Sequence, residues 1–180
     1  MNVTTLYHPT EKDWFAVKLR CFVTIGKLPD PEKEITLEWQ KRMLRCRHSP
    51  IRKLTFSFFI KDIPYWLHTE LVRHHIGVQF YVKSQRDDRS KNDIPRAEKP
   101  QGALVDMIMD VNAESLLTIM NKRLCGNAAK EMQELMLMIR HEVIWNNPEF
   151  TDFLVPMCKY HNWCNEFNSC GKKALFFWRG

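Results

Sequence analysis

Several features that would point to a particular class of protein are missing from this chain. No apolar run approaches the roughly 20 residues that a bilayer-spanning helix needs, so no membrane span is expected. Residues 1–12 have no apolar core behind a basic start, so no secretory leader is read there. There is no internal repeat and no low-complexity tract. There is also no uninterrupted basic tail: the net charge of +6 and pI near 9.0 come from dispersed residues, which argues against nucleic acid and for smaller anionic partners. A soluble, cytoplasmic protein is expected. In that setting the six cysteines are read as reduced thiols or metal ligands rather than disulfides. What is present suits one domain. The 180 residues are 44% hydrophobic, and a chain of this size buries about 70% of its unfolded surface.

Local patterns predict alternating strands and helices. Residues 14–23 mix apolar and basic side chains in a strand-like way. Asp30-Pro31, followed by Glu32 and Glu34, predicts a helix start, with Lys41, Arg42, Arg45 and Arg47 at its end complementing the dipole. Leu54, Phe56, Phe58 and Ile60 alternate as a half-buried strand. Asp62-Ile-Pro64 starts a short helix carrying Trp66, Leu67, Leu71 and Val72, and residues 77–82 are extended. Residues 84–100 form a charge-rich loop, long enough to be functional. Residues 104–111 alternate again, Asn112 caps a helix from Ala113, and residues 128–145 form a longer helix with Met132, Leu135, Met136 and Ile139 on one face. Met132, Met136 and Met138 read as core or subunit contact.

The densest chemistry lies in residues 47–86. Arg73, His74 and His75 follow the short helix, and Ser84 and Arg86 follow the next extended segment. Ordered positive charges repel unless an anion sits among them, so a phosphate-bearing ligand is the natural partner. Arginine suits that role because its planar fork grips phosphate bidentately and stays charged. Two plainer readings stand beside this one: a solvated helix end for Arg73-His74-His75, and a simple turn residue for Ser84.

Four motifs in register give the chain a resemblance to the flavin-dependent thymidylate synthases of the ThyX type. They are Ser49-Pro50 before the Phe-rich strand, Arg73-His74-His75, then Asn121-Lys-Arg123-Leu-Cys125-Gly-Asn127-Ala128, and Ser169-Cys170-Gly171. The resemblance spans about residues 14–171. It departs from the family pattern at several points. Arg52-Lys53 replace a Glu-His pair, Glu70 stands for a Gln, and His75 stands for an Arg. Eight residues rather than seven precede Ser84, Ala129 replaces a Gln, and Gln133 replaces an Arg.

The resemblance implies an α/β (α+β) fold with a central, mostly antiparallel sheet flanked by helices and a Cys-rich tail. Residues 1–150 would form the flavin- and nucleotide-binding domain, and 151–180 a C-terminal extension of it. The implied activity is reductive methylation of dUMP at C5, with methylenetetrahydrofolate as one-carbon donor, reduced FAD, and NADPH as reductant, in a homotetramer with sites between subunits. Two alternatives are C5 modification of another pyrimidine deoxynucleotide and a non-catalytic nucleotide-binding relative without flavin. By resemblance, Arg73, His74, His75, Asn121, Arg123 and Asn127 bind FAD. Glu70, Ser84, Arg86 and Gln133 bind substrate, and Ser84 and Arg86 carry the catalytic role.

The cysteine pattern is weighed separately. Cys158, His161, Cys164 and Cys170 crowd the C-terminal end. Their spacing, with Cys125 as a further sulfur, predicts a zinc or iron–sulfur site or, alternatively, free thiols.

Overall fold

A computed structural model of the chain describes residues 1–88 and 94–171; residues 89–93 of the charge-rich loop and 172–180 of the C-terminal extension lie outside the described residues. Among the described residues four strands form a single antiparallel sheet in the order β1-β2-β4-β3. They are β1 (Asn2–Tyr7), β2 (Thr55–Pro64), β3 (Val78–Val82) and β4 (Leu104–Asn112). Six helices accompany them among the described residues: α1 (Glu11–Val23), α2 (Leu37–Arg45), α3 (Tyr65–Leu71), α4 (Ala113–Arg123), α5 (Lys130–Asn146) and α6 (Met157–His161). The expected α/β class with an antiparallel central sheet is therefore observed. No helix among the described residues is long and apolar enough to cross a membrane.

The period-two pattern of β2 and β4 accounts for the core. Phe56, Phe58 and Ile60 face one side of β2 and pair in register with Val111, Met109 and Met107 of β4; all six are buried. A bulge follows Ile60, where Asp62 takes a positive φ of 55° and its N–H donates to the Asp106 carboxylate. The buried stripes of α4 (Leu116, Leu117, Met120) and α5 (Met132, Leu135, Met136, Ile139, Val143) complete the core. At the other end Trp14, Trp39, Phe56 and Phe150 meet edge-on or tilted at 5.3–6.5 Å. The Trp14 indole N–H donates to buried Glu149 at 2.9 Å.

Three local expectations are corrected. Asp62 and Ile63 do not start the short helix: they belong to β2, and α3 begins at Tyr65 once Pro64 has ended the strand. Residues 14–23 belong to helix α1, not to a strand. Trp14, Val17 and Lys18 are buried at helical spacing, and the Asp13 carboxylate accepts from the Thr10 N–H in a capping box. Lys18 misleads a strand reading because its stem is buried while its ammonium reaches the Lys33 carbonyl at 2.7 Å. Asp30-Pro31 does not open α2. Asp30 closes its own turn by accepting from the Glu32 N–H, and the helix waits for Thr36, whose hydroxyl accepts from the Trp39 N–H at 3.2 Å. β1 carries few apolar side chains and is recognised as a strand through its pairing with β2.

Candidate functional site: a cationic cleft at the start of helix α4

Helix α4 begins directly where β4 ends. Asn112 caps it, its Oδ1 accepting from the Ser115 N–H at 2.9 Å, while the Ala113 N–H donates to the Leu54 carbonyl at 2.8 Å. The turn of residues 72–77, between α3 and β3, is tied down on this helix start. Ser115 Oγ donates to the Ile76 carbonyl at 2.7 Å, and the Asn112 N–H donates to the Gly77 carbonyl at 3.0 Å. Gly77 has φ +68°, and a Cβ there would lie 2.1 Å from Asn112 Nδ2 and 2.4 Å from Ser115 Oγ. Glycine therefore permits both the backbone conformation and the close approach.

This turn, the helix start and Arg52 enclose an open cleft of about 570 Å³. Arg73, His74 and His75 line it together with Asn112, Glu114 and Ser115. The Arg73 guanidinium is exposed and makes no hydrogen bond or ion pair with any described residue. Arg52 is held differently, as its Nε donates to Glu114 across the cleft wall. The cleft thus combines one uncommitted guanidinium, two imidazoles and the positive end of an 11-residue helix.

Behind the cleft wall, three predicted site residues bind one another. Arg123 Nε donates to His74 Nε2 at 2.9 Å, one terminal nitrogen donates to the Glu70 carbonyl oxygen at 3.1 Å, and the other lies 3.5 Å from the Glu70 carboxylate. His74 is half-buried, and burial, then the charges of Arg123 and Lys122, hold its pKa below the usual imidazole value.

The other predicted positions lie elsewhere. Asn121 is fully buried, its amide donating to the Phe153 and Val155 carbonyls while its oxygen accepts from Arg47. That leaves it no group for a ligand and makes it a tie between α4 and the C-terminal segment. Asn127 donates to the Asn168 carbonyl at 2.7 Å, and Gln133 donates to the Ala128 carbonyl at 2.8 Å at the start of α5. Ser84 and Arg86 follow the far end of β3, roughly 20 Å along the chain from Gly77. Arg86 makes a two-pronged ion pair with Asp88 at 2.7 and 2.8 Å, and Ser84 Oγ accepts from the Arg86 N–H. Within one chain, then, these two do not line the cleft that holds Arg73.

The cysteine prediction is met only as a gathering. Cys125, Cys158, Cys164 and Cys170 border one small crevice beside α6, whereas His161 meets Tyr160 edge-on and Trp163 at a tilt outside it. Among the described residues no group of three or more His, Cys, Asp or Glu side chains is arranged to hold a metal ion. The expected zinc or iron–sulfur centre is not supported. The thiols instead border the crevice, and burial, Cys170, Glu166 and Cys158 push the Cys125 pKa up.

Sequence reasoning missed Glu114, Ser115 and Arg47 as contributors. Ser115 had a readable signal, since it stands three residues after a helix-capping Asn. Glu114 and Arg47 had none, because their partners lie 62 and 74 residues away.

No protein-family model matches the chain, and no curated protein matches it in sequence. Solved structures do. The crystal structure of the flavin-dependent thymidylate synthase ThyX from Helicobacter pylori complexed with FAD and dUMP matches with a TM-score of 0.69 at 16% identity, over 86% of this chain and 100% of that one. A second Helicobacter pylori ThyX structure with FAD and dUMP matches with a TM-score of 0.67 at 17% identity, over 88% of this chain and 99% of that one. A sheet of order β1-β2-β4-β3 backed by α4 and α5, matched over the whole of a ThyX chain, gives this protein the fold of the flavin-dependent thymidylate synthases.

Proposed function

We propose that the cleft at the start of α4 binds a phosphorylated cofactor, FAD, and that the protein is a flavoenzyme acting at C5 of a pyrimidine deoxynucleotide. The observation that carries this reading is the uncommitted Arg73 guanidinium, set beside His74, His75 and the α4 N-terminus in an open cleft. These groups fit a pyrophosphate: the guanidinium offers a bidentate fork, and the helix start favours negative charge. Reduced FAD would supply the reducing equivalents, with NADPH restoring them and a methylene-bearing folate supplying the carbon for dUMP. The protein's share is orientation and charge. Arg73 anchors phosphate, and the paired Arg52 and Glu114 form part of the cleft lining. Ser84 and Arg86 would hold the nucleotide phosphate of a neighbouring copy's cleft in a homotetramer, because they lie too far along β3 to reach their own.

A second reading is a nucleotide-binding relative that does not use flavin. It is favoured by the commitment of Arg123 to Glu70 and His74, and of Arg86 to Asp88, which removes two of the predicted phosphate ligands.

Calorimetric titration of the full chain with FAD and with dUMP, for wild type and Arg73→Ala, separates these readings. The flavoenzyme reading expects FAD binding weakened about 10- to 150-fold in the variant, the equivalent of one charge-assisted hydrogen bond. It also expects release of tritium from C5-labelled deoxyuridylate or deoxycytidylate. Binding of dUMP without FAD would establish the second reading, and binding of neither would overturn both.

A further inference from the structure

Glu70 and Arg123 came from the sequence as two direct ligand contacts, yet in the structure they bind each other, and Arg123 also donates to His74. We infer that they are positioning residues: together they hold His74 as the neutral Nδ1–H tautomer, so that the cleft is lined by a fixed, uncharged hydrogen-bond donor for an acceptor oxygen of its ligand. This rests on the reading that the cleft takes a phosphorylated ligand, since that reading supplies the acceptor.

The chemistry leaves little freedom. A guanidinium has donors and no acceptor, and it stays charged throughout the accessible pH range. With Arg123 Nε 2.9 Å from His74 Nε2, the imidazole nitrogen must be the acceptor. A neutral imidazole that accepts at Nε2 carries its proton on Nδ1. An imidazolium would set N–H against N–H across the same 2.9 Å and place two positive charges in contact. Burial and the adjacent cations, which disfavour the charged ring, agree with this geometry.

Arg123 can impose the tautomer because it is itself immobilised. It is the last residue of α4, and Glu70 grips it twice, through its backbone oxygen at 3.1 Å and its carboxylate at 3.5 Å. Glu70 and His74 sit on either side of the α3 C-terminus, so one guanidinium clasps the end of α3 and the turn that follows. The remaining ring nitrogen, Nδ1, has no partner among the described residues, and His74 lines the cleft. The cleft therefore offers a charge for phosphate at Arg73 and a neutral donor at His74. That pairing suits a ligand with a second acceptor, such as a ring carbonyl or ester phosphoryl oxygen. The donor does not vanish as pH rises, as a contact that depended on imidazolium would.

The test is nitrogen-15 NMR of the labelled full chain at neutral pH without ligand, reading the two His74 ring nitrogens. Wild type is expected to show a protonated Nδ1 and an unprotonated Nε2. Arg123→Met removes the donor and should shift His74 towards the Nε2–H form, with FAD affinity down about 3- to 12-fold, as for one neutral hydrogen bond. Arg123→Lys restores a donor and should recover both signals. A purely structural clasp would lower thermal stability in Arg123→Met without moving the tautomer. Wild-type His74 found as Nε2–H or doubly protonated would overturn the inference, and so would an unchanged tautomer in Arg123→Met. The wild-type measurement depends on no variant and no ligand. An Nδ1–H ring in a chain that fails to bind FAD would therefore retain the clasp and discard the flavin reading.

Discussion

Gly77→Ala is the sharpest perturbation of this architecture, because one methyl group meets three constraints together. The residue sits at φ +68°, a conformation that costs a residue with a Cβ about 1–2 kcal/mol. The new Cβ would lie 2.1 Å from Asn112 Nδ2 and 2.4 Å from Ser115 Oγ, so both side chains must move. Neither is a floppy terminus. Asn112 caps α4, a contact worth about 1 kcal/mol, and Ser115 holds the Ile76 carbonyl, worth about 1 kcal/mol more. The expected loss is about 3–4 kcal/mol, a large part of the 5–15 kcal/mol that holds a typical domain. Equilibrium urea unfolding measures it as a lowered midpoint at constant slope. Gly77→Asn serves as the control. Asparagine tolerates positive φ but carries the same Cβ, so it should recover only the conformational part. A Gly77→Ala protein within about 1 kcal/mol of wild type would refute the claim that this turn is clamped on the helix start. Because the turn carries Arg73 and His75, ligand affinity should fall along with stability.

Two further outcomes follow from the same reasoning. Asn121→Ala leaves the Phe153 and Val155 carbonyls without this donor in a buried site, at about 1–3 kcal/mol for each group left unsatisfied, while Arg47 keeps only Thr118. A drop of about 3 kcal/mol or more in urea unfolding is expected, while an effect under about 1 kcal/mol would show that the C-terminal segment is not anchored there. Stability should also fall as pH drops below the ordinary histidine value near 6.5. His68 and His74 both have folded pKa values lowered first by burial, so the unfolded chain takes up protons that the folded chain refuses. Thermal midpoints across that range should decline with acidification and recover in part in His68→Phe, whose ring keeps the contacts with Tyr65 and Phe80. A flat profile would contradict the burial of these rings.

How far the amino-acid order carries is clearest in particular elements. Phe56, Phe58 and Ile60 announce β2 because a strand's two faces alternate in environment, and Asn112 announces α4 because a helix start needs a local acceptor. Both signals are complete within a few residues of chain. Helix α1 was misread because Lys18 is buried through a contact with Lys33, and β1 was missed because little but its pairing with β2 defines it. The cationic segment 73–75 was legible as a cluster of charge, and the structure places it along a cleft.

Which charges are free there was not legible. Arg73 and Arg123 are the same residue type, yet one faces open space and the other is clasped by Glu70 and His74. Local hydrogen bonds and periodicity are written in neighbouring residues, so the sequence by itself determined the main strands, the α4 cap and the location of the cationic turn. The commitment of a charged side chain depends on partners some 50 residues distant, brought within 3.5 Å only where the end of α3 meets the end of α4. Tertiary structure alone decided which guanidinium stays uncommitted and which one is clasped against Glu70 and His74.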